Sequence, residues 1–357
     1  MTINRETILT FYEAEILAFA IRQFMVNPDY LNKFNAYEGC ANLVYACKRK
    51  NQPIILRVSY TQDRTFNQIK AELHFINYLA ENGVHVARPI PSYDAKLIKE
   101  FHIDSFPVFL VCFEKGRGMR VPDNGYRYRE DAPIEEYFQN WGKVLGQMHR
   151  LAKAYLPIDD QIRRPDWFKL HAKKLDIDSI IPEELLLVKD RIYGLLNEIS
   201  ELPKDDPCFG LIHGDFNDGN FTVDYRNGDI TVFDFDDSCY FWFAYELASA
   251  WEGGIGRIMF RGLNERKSFM DHYMNNVLQG YFKENELSDE WLEKIPVFIK
   301  LIQVEEFLHY VKYFHDSDEE MRSHLRYLIK CIEADLPYMG FFDPLYSPEH
   351  PFSLVSS

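Results

Sequence analysis

The chain has 357 residues and a formal net charge of −15, with 46% hydrophobic and 27% charged residues. This balance is typical of a globular protein and excludes a disordered chain, while so acidic a surface argues against binding nucleic acid, which depends on Lys and Arg. Because the length exceeds the usual size of one compact domain, we expect two lobes.

The amino-terminal third is predicted to form a sheet with packed helices. Apolar residues recur at helical spacing in two segments, and β-rich residues fill four short runs bounded by turns. The predicted elements are a helix over 5–25, a hairpin of strands 42–48 and 54–60, a helix over 66–81, and strands 96–102 and 107–113.

A polar stretch at 114–118 follows these elements, and we predict the lobe boundary there, with one lobe over 1–115 and the other over 116–357. Beyond it helices dominate, and short strands are confined to 209–235. The predicted helices run over 134–154, 183–201, 241–252, 264–283, 288–315 and 318–335.

The cysteines are scattered without a C-x-x-C pair. They indicate reduced, mostly buried thiols in a cytoplasmic protein, and neither a disulfide framework nor a zinc site. The first residues lack a basic segment before an apolar core, which predicts no signal peptide. No apolar run approaches the ~18 residues of a membrane-spanning helix, so no membrane partner is expected. The oligomeric state is left open.

The most informative segment is a predicted hairpin in the second lobe. Asn227-Gly228 separates the apolar runs 221–223 and 230–233, which is a strong short-range hairpin signal. Asn220 comes just before the first strand, and Asp234 comes just after the second. Because the ends of paired antiparallel strands lie ~5 Å apart, these two side chains must be neighbours.

Asp215, Asn220 and Asp234 are thereby crowded together, which is costly unless they hold a hard cation or move a proton. Asn220 and Asp234 offer a partial shell for Mg²⁺, and Asp215 can accept the proton of an attacking hydroxyl. His213 is predicted to organise the loop through backbone hydrogen bonds. Each residue alone is common in turns, but the joint pattern H-x-D-x-x-x-x-N and apolar-apolar-Asp-Phe favours phosphoryl transfer from a magnesium nucleotide.

These motifs, His213 to Asn220 and 232–235, resemble the catalytic and metal-binding motifs of the aminoglycoside phosphotransferase and choline kinase-like family. Segment 240–248 is similar to the one after the family's metal-binding Asp, with Glu246 where Asp is commoner. The resemblance implies a bilobal, protein-kinase-like α+β fold with a small antiparallel-sheet N-lobe and a larger, mostly helical C-lobe. It also implies ATP and Mg²⁺ as cofactors, Asp215 as the catalytic base, and Asn220 and Asp234 as metal ligands.

The first lobe offers candidate nucleotide-binding residues. Arg57 lies within an apolar strand, where a buried guanidinium needs a partner, and Glu72 on the following helix is the expected one. The resemblance implies that this pair directs Arg57, in place of the usual Lys, at the nucleotide phosphates; a purely structural ion pair is the alternative. Gly39 and Asn42 resemble the family's short nucleotide loop, although a plain turn explains them equally well.

The acceptor is expected to bind against the helical lobe. Carboxylates mixed with aromatic residues suit an amine or quaternary ammonium, although single residues on a helix face have ordinary structural explanations. His149 is interpreted as a packing or capping residue. The candidate acceptor-binding residues are Asp218, Asp236, Asp237, Trp242, Tyr245, Glu305, Glu306, Tyr310 and Tyr313.

Four functions remain in competition. The first is an ATP-dependent kinase of a small hydroxyl compound such as an aminoglycoside, an amino alcohol, a choline-like amine or a sugar. A protein Ser/Thr kinase of the same fold requires a wide, open acceptor cleft. A nucleotide-binding pseudokinase conflicts with the intact Asp215, Asn220 and Asp234. A metallohydrolase that uses His213 and Asp215 needs further His ligands, and the other histidines lack ligand spacing.

Overall fold

A computed structural model describes residues 11–34, 42–60, 64–103, 106–172, 175–204, 207–255, 263–314 and 319–337. In these ranges the amino-terminal part is built on an antiparallel sheet, and helices dominate the remainder. The predicted combination of a small sheet region and a larger helical region is confirmed. The predicted boundary after residue 115 stays a prediction, and the last strand of this sheet in the chain ends at Glu114.

The sheet has the strand order β1-β2-β3-β6-β4, and β5 also pairs with β6. The predicted hairpin is confirmed as β2 and β3, because Val44 pairs with Arg57 and Lys48 with Pro53. The strands are β1 (Asn32–Lys33), β2 (Asn42–Arg49), β3 (Gln52–Tyr60), β4 (Pro89–Ile90), β5 (Lys99–Ile103) and β6 (Phe106–Glu114).

The two faces of this sheet are covered by different helices. Helix α1 (Glu13–Phe24) packs with Leu56 and Val58 in one apolar cluster. Helix α2 (Phe66–Glu81) belongs to the other cluster. Successive side chains of a strand point to opposite faces, so Arg57, which stands between Leu56 and Val58, points towards α2.

Helix α2 has the predicted bounds because its sequence contains a complete start signal. The Thr65 side chain accepts from the Gln68 backbone N–H, and the Gln68 side chain accepts from the Thr65 backbone N–H. This capping box satisfies two donors that the first turn leaves open. The start of the helix, and hence the position of Glu72 two turns later, is therefore fixed by local chemistry.

The carboxy-terminal part contains helices of very different lengths. Two predictions needed correction. The predicted helix 241–252 begins only at Phe243, because residues 239–242 form a strand. The predicted helix 288–315 is two helices, 289–292 and 295–314, and Pro296 is the second residue of the longer one. The helices are α3 (Ile134–Ala152), α4 (Trp167–His171), α5 (Ile177–Ile180), α6 (Leu186–Ser200), α7 (Phe243–Ile255), α8 (Leu263–Tyr281), α9 (Asp289–Leu292), α10 (Ile295–Phe314) and α11 (Glu319–Glu333).

Two short strand pairs support the site. Strand β7 (Phe209–Ile212) pairs with β10 (Cys239–Trp242). Strand β8 (Phe221–Val223) pairs with β9 (Ile230–Val232), which confirms the predicted hairpin. Gly228 in its turn has φ of 79°, a conformation that favours glycine.

The hairpin is also attached to the first part of the chain. The Ala87 N–H donates to the Val232 carbonyl at 2.8 Å, and the Val232 N–H donates to the His85 carbonyl at 2.9 Å. The segment after α2 and the end of the hairpin at Val232 are therefore held together by backbone hydrogen bonds. Across the described residues, no helix combines the length and apolar character needed to cross a membrane.

Candidate active site

The loop between β7 and β8 is organised by His213, which is buried. Its Nε2–H donates to the Phe233 carbonyl at 2.9 Å, and its Nδ1 accepts from the Asp215 backbone N–H at 3.3 Å. One ring nitrogen donates and the other accepts, as in a neutral imidazole, so both are hydrogen-bonded. His213 thereby ties the loop to the end of β9. The side chain has the loop-organising position that the sequence suggested.

Gly214 allows this loop to approach segment 234–238 closely. Its φ is +88°, and a Cβ atom at this position would lie 2.1 Å from the Asp237 carbonyl oxygen. Its N–H donates to Glu246 at 2.9 Å, and the other oxygen of Glu246 lies 2.8 Å from His149 Nε2. His149 was interpreted as a packing or capping residue; the structure shows that it also orients the carboxylate beneath the loop.

Asp215 is positioned by two amides and stays accessible to solvent. Asn217 Nδ2 donates to its Oδ1 at 2.8 Å, and Asn220 Nδ2 donates to its Oδ2 at 2.7 Å. Burial by the surrounding protein and the nearby charge of Asp237 raise the pKa of the Asp215 carboxyl. A carboxylate with fixed orientation and increased proton affinity is suited to act as a general base.

Asn220 and Asp234 lie at the same end of the β8–β9 hairpin, because the Phe233 backbone N–H donates to the Asn220 carbonyl at 2.9 Å. The Asn220 amide nitrogen donates to Asp215, and no described residue donates to its Oδ1. Burial, reinforced by the Asp236 charge, raises the pKa of Asp234 to about 7, although its side chain is accessible to solvent. The charge of Asp215 contributes to this shift. A divalent cation would stabilise the ionised form of Asp234, which fits the predicted Mg²⁺ site.

Arg57 and Glu72 form the predicted pair. Arg57 Nη1 and Nη2 each donate to one carboxylate oxygen of Glu72 at 2.7 Å, and both side chains are buried. Such a bidentate contact fixes the plane of the guanidinium. Arg57 Nη1 also lies 3.9 Å from Asp236, so the pair faces segment 234–238.

Asp236 collects contacts from the first lobe. Arg64 Nε donates to it at 3.0 Å, and Asn42 Nδ2 donates to it at 3.1 Å. Burial alone would raise the pKa of Asp236, but Arg64 and Arg57 hold it at about 2. Asn42 therefore contacts segment 234–238, and its predicted nucleotide contact stays a prediction. The predicted contact of Gly39 lies outside the described residues.

A cavity of about 520 Å³ opens beside Asp215. Of the predicted acceptor residues, Trp242 is buried with its Nε1–H bonded to the Pro203 carbonyl, and Asp236, Tyr310 and Tyr313 do not line the cavity either. The lining residues are Tyr126, His171, Gly214, Asp215, Asn217, Asp218, Asp237, Tyr245, Ser249, Glu252, Gly253, Ile302, Glu305 and Glu306.

The cavity wall is strongly acidic, and no Lys or Arg is among the described residues that line it. Glu305 accepts from the Tyr245 hydroxyl at 2.9 Å, and Glu306 lies 2.9 Å from His324 Nε2. No described residue reaches Glu252 with a hydrogen bond or ion pair. Burial and the neighbouring Glu306 charge raise the pKa of Glu252 to about 7.

Sequence reasoning missed Glu252, Tyr126 and His171 in the cavity, and it missed Arg64 and Arg164 beside segment 234–238. Glu252 offered one available signal, because it follows the nearly unbroken apolar run of helix α7. The remaining four lie on loops or a short helix, and their proximity to the site depends on long-range packing.

Comparisons with known proteins identify the family of this chain. Residues 35–284 match the phosphotransferase enzyme family. The chain is 28% identical over 347 residues to the amicoumacin kinase of Bacillus subtilis (strain 168), covering 96% of this chain and 98% of that protein. It is 24% identical over 256 residues to an uncharacterized protein of Synechocystis, covering 68% of this chain and 65% of that protein.

Solved structures show the same fold. An amicoumacin kinase in complex with AMP-PNP and Ca²⁺ superposes with a TM-score of 0.84 at 26% identity, covering 93% of this chain and 96% of that chain. A microcompartment-associated aminopropanol kinase gives a TM-score of 0.69 at 21% identity, with coverage of 90% and 95%. The predicted protein-kinase-like fold is confirmed. This chain belongs to the phosphotransferase enzyme family, and it is a kinase.

Proposed function

We propose that the chain is an ATP- and Mg²⁺-dependent kinase that transfers the γ-phosphoryl group to a hydroxyl of a small, amine-bearing molecule. One observation carries the proposal: Asp215 bonds to the predicted metal ligand Asn220 on one side and lines an acidic cavity on the other. A volume of about 520 Å³ is within the usual range for a small-molecule site.

The nucleotide is proposed to bind between the sheet and the hairpin. Arg57, oriented by Glu72, is placed to contact the α- and β-phosphates, while Asn220 and Asp234 would hold the cation. The bound cation would neutralise negative charge on the phosphate oxygens. Gly39 and Asn42 remain proposed contacts on the nucleotide side.

In the proposed reaction, Asp215 takes the proton of the acceptor hydroxyl. The acceptor oxygen forms a bond to the γ-phosphorus while the bond from that phosphorus to the β,γ-bridging oxygen breaks. Asn217 and Asn220 fix both oxygens of Asp215, so the carboxylate does not have to reorient during the transfer. Its raised pKa increases its affinity for the transferred proton.

An amine on the acceptor is supported by the cavity wall. Glu252 and Glu306 line the cavity, whose described lining includes no Lys or Arg, and an ammonium group would complement their negative charge. The named relatives point the same way, since they include an amicoumacin kinase and an aminopropanol kinase. Amicoumacin is therefore the first acceptor to test.

The proposal is tested by screening acceptors with purified protein, ATP and Mg²⁺. Amicoumacin, aminopropanol, spectinomycin and choline would be compared with amine-free sugars, with ADP release as the rate and product mass as proof of transfer. We expect transfer to at least one amine-bearing compound and none with Asp215→Asn. Transfer only to amine-free sugars or to protein side chains would contradict the proposed acceptor class.

The other functions have less support. A protein kinase needs an open surface for a polypeptide, whereas the cavity beside Asp215 has the size of a small-molecule pocket. A metallohydrolase requires a cluster of His and carboxylate ligands, and no such cluster occurs among the described residues. A pseudokinase would have no reason to keep Asp215 oriented by Asn217 and Asn220.

A further inference from the structure

Arg64 connects the start of helix α2 to the segment after the predicted metal ligand Asp234. It immediately precedes Thr65, the N-cap of the helix. Its Nε donates to Asp236 at 3.0 Å, and its Nη2 donates to Asp237 at 2.7 Å. The guanidinium thus joins two consecutive carboxylates of the C-lobe to a helix of the N-lobe.

Arg164 makes a second connection between the same two segments. Its Nη1 donates to the Gln68 carbonyl in the first turn of α2 at 3.2 Å. Its Nη2 and Nε each donate at 2.6 Å, to the carbonyls of Asp236 and Ser238. Arg164 is buried, so these contacts are shielded from water. We refer to Arg64, Arg164 and their partners at 236–238 as the interlobe clamp.

The clamp is continuous with the nucleotide side of the cleft. Asp236 also accepts from Asn42 on strand β2 and lies 3.9 Å from Arg57 on strand β3. The first turn of α2 is thereby held against segment 234–238. Glu72 lies on the same helix, so a shift or rotation of α2 would move its carboxylate away from Arg57.

We propose that Arg64 is a positioning residue that keeps the Arg57–Glu72 pair aligned with the metal-binding side chains before any ligand arrives. Arg64, which precedes the start of α2, is bound by the carboxylates of Asp236 and Asp237. The site is therefore assembled by the chain's own residues and requires no covalent modification. This role rests on the proposed function, because it concerns alignment of the nucleotide phosphates.

A double-mutant cycle tests whether Arg64 acts through Glu72. We expect Arg64→Gln to lower kcat/KM for ATP by about tenfold or more, because the guanidinium makes charge-assisted hydrogen bonds to both Asp236 and Asp237. In a Glu72→Gln background the same substitution should have little further effect, because the pair it positions is already lost. Losses that multiply in the double variant would overturn the proposal.

Arg88→Gln is the matched control. Arg88 is exposed and donates to the Ala80 carbonyl near the other end of α2, so the variant loses a contact with the same helix outside the cleft. It should keep the wild-type kcat/KM. An Arg88→Gln loss equal to that of Arg64→Gln would show general weakening of α2 and contradict a specific role for the clamp.

Hydrogen exchange of the ligand-free protein gives a readout that does not depend on turnover. Arg64→Gln should speed exchange both in the first turns of α2 and at 234–238, whereas Arg88→Gln should leave 234–238 unchanged. Unchanged exchange at 234–238 in Arg64→Gln would refute the clamp. If no acceptor is phosphorylated but exchange responds as expected, the proposed function fails while the clamp stands.

Discussion

The two sides of the cleft carry similar charged groups but arrange them in opposite ways. On the nucleotide side, Glu72 and Asp236 are each bound by arginines. On the acceptor side, Glu252 and its carboxylate neighbours face a cavity whose described lining has no Lys or Arg. In the proposed function, the nucleotide side is built in advance, whereas the acceptor side is completed by the charge of its ligand.

The largest effect is expected at the boundary between the two sides. Asp215→Asn should lower kcat by about 10³-fold, because the amide is a poor proton acceptor, while ATP binding persists. Single-turnover assays and nucleotide titrations would separate the two quantities. Asp190→Asn, an exposed change on helix α6, is the control. Near-normal kcat in Asp215→Asn would remove the proposed base.

The prebuilt side is tested at its cation site. With Mg²⁺-ATP near 100 times its Kd, ligand binding should stabilise the wild type by about 3 kcal/mol, and Asp234→Ala should abolish most of this gain. Thermal unfolding with and without Mg²⁺ measures it. Asp229→Ala, at the other end of strand β9, should retain the gain. Equal stabilisation of all three proteins would exclude Asp234 as a metal ligand.

The acceptor side should respond to pH. The pKa of Glu252 is raised to about 7, so its carboxylate is mostly protonated at pH 6 and mostly ionised at pH 8. The KM for an amine acceptor should therefore fall as pH rises through 7. Glu252→Gln should raise the KM about tenfold at pH 8 and flatten this dependence, since the charge is absent at every pH.

Glu293→Gln, an exposed change on the helical lobe, is the matched control for this prediction and should keep the wild-type profile. A steep KM profile that survives in Glu252→Gln would assign the titration to another group. In that case the charge of Glu252 would contribute little to binding of the amine.

Local signals explain which parts of the fold could be predicted. Helix α2 was predicted with its observed bounds from apolar residues at helical spacing and from Asn82-Gly83 after its end. The capping box of Thr65 and Gln68 gives the physical reason for its start. The β8–β9 hairpin was predictable from Asn227-Gly228 and its flanking apolar runs. Strand pairing then brings Asn220 close to Asp234, so the proximity of these two site residues could be predicted from a short stretch of sequence.

The missed residues depend on contacts between distant segments. Arg64 and Asp236 are 172 positions apart, and no local pattern indicates that they pair. The cavity combines a loop residue, Tyr126, with Glu252 on α7 and Glu306 on α10. Helix packing decides which side of α10 faces the cavity. Apolar residues are spread around this helix almost evenly, so the sequence did not indicate which side that would be.

The backbone of Asp234 limits how this position can change. Its φ of 64° and ψ of 59° place it in the left-handed region, which Asn and Gly also adopt but branched side chains avoid. The replacements that suit the turn carry no negative charge, while Glu keeps the charge and costs the backbone more. Laboratory evolution of this enzyme should therefore find new acceptors through the cavity wall long before it finds a working alternative to Asp234.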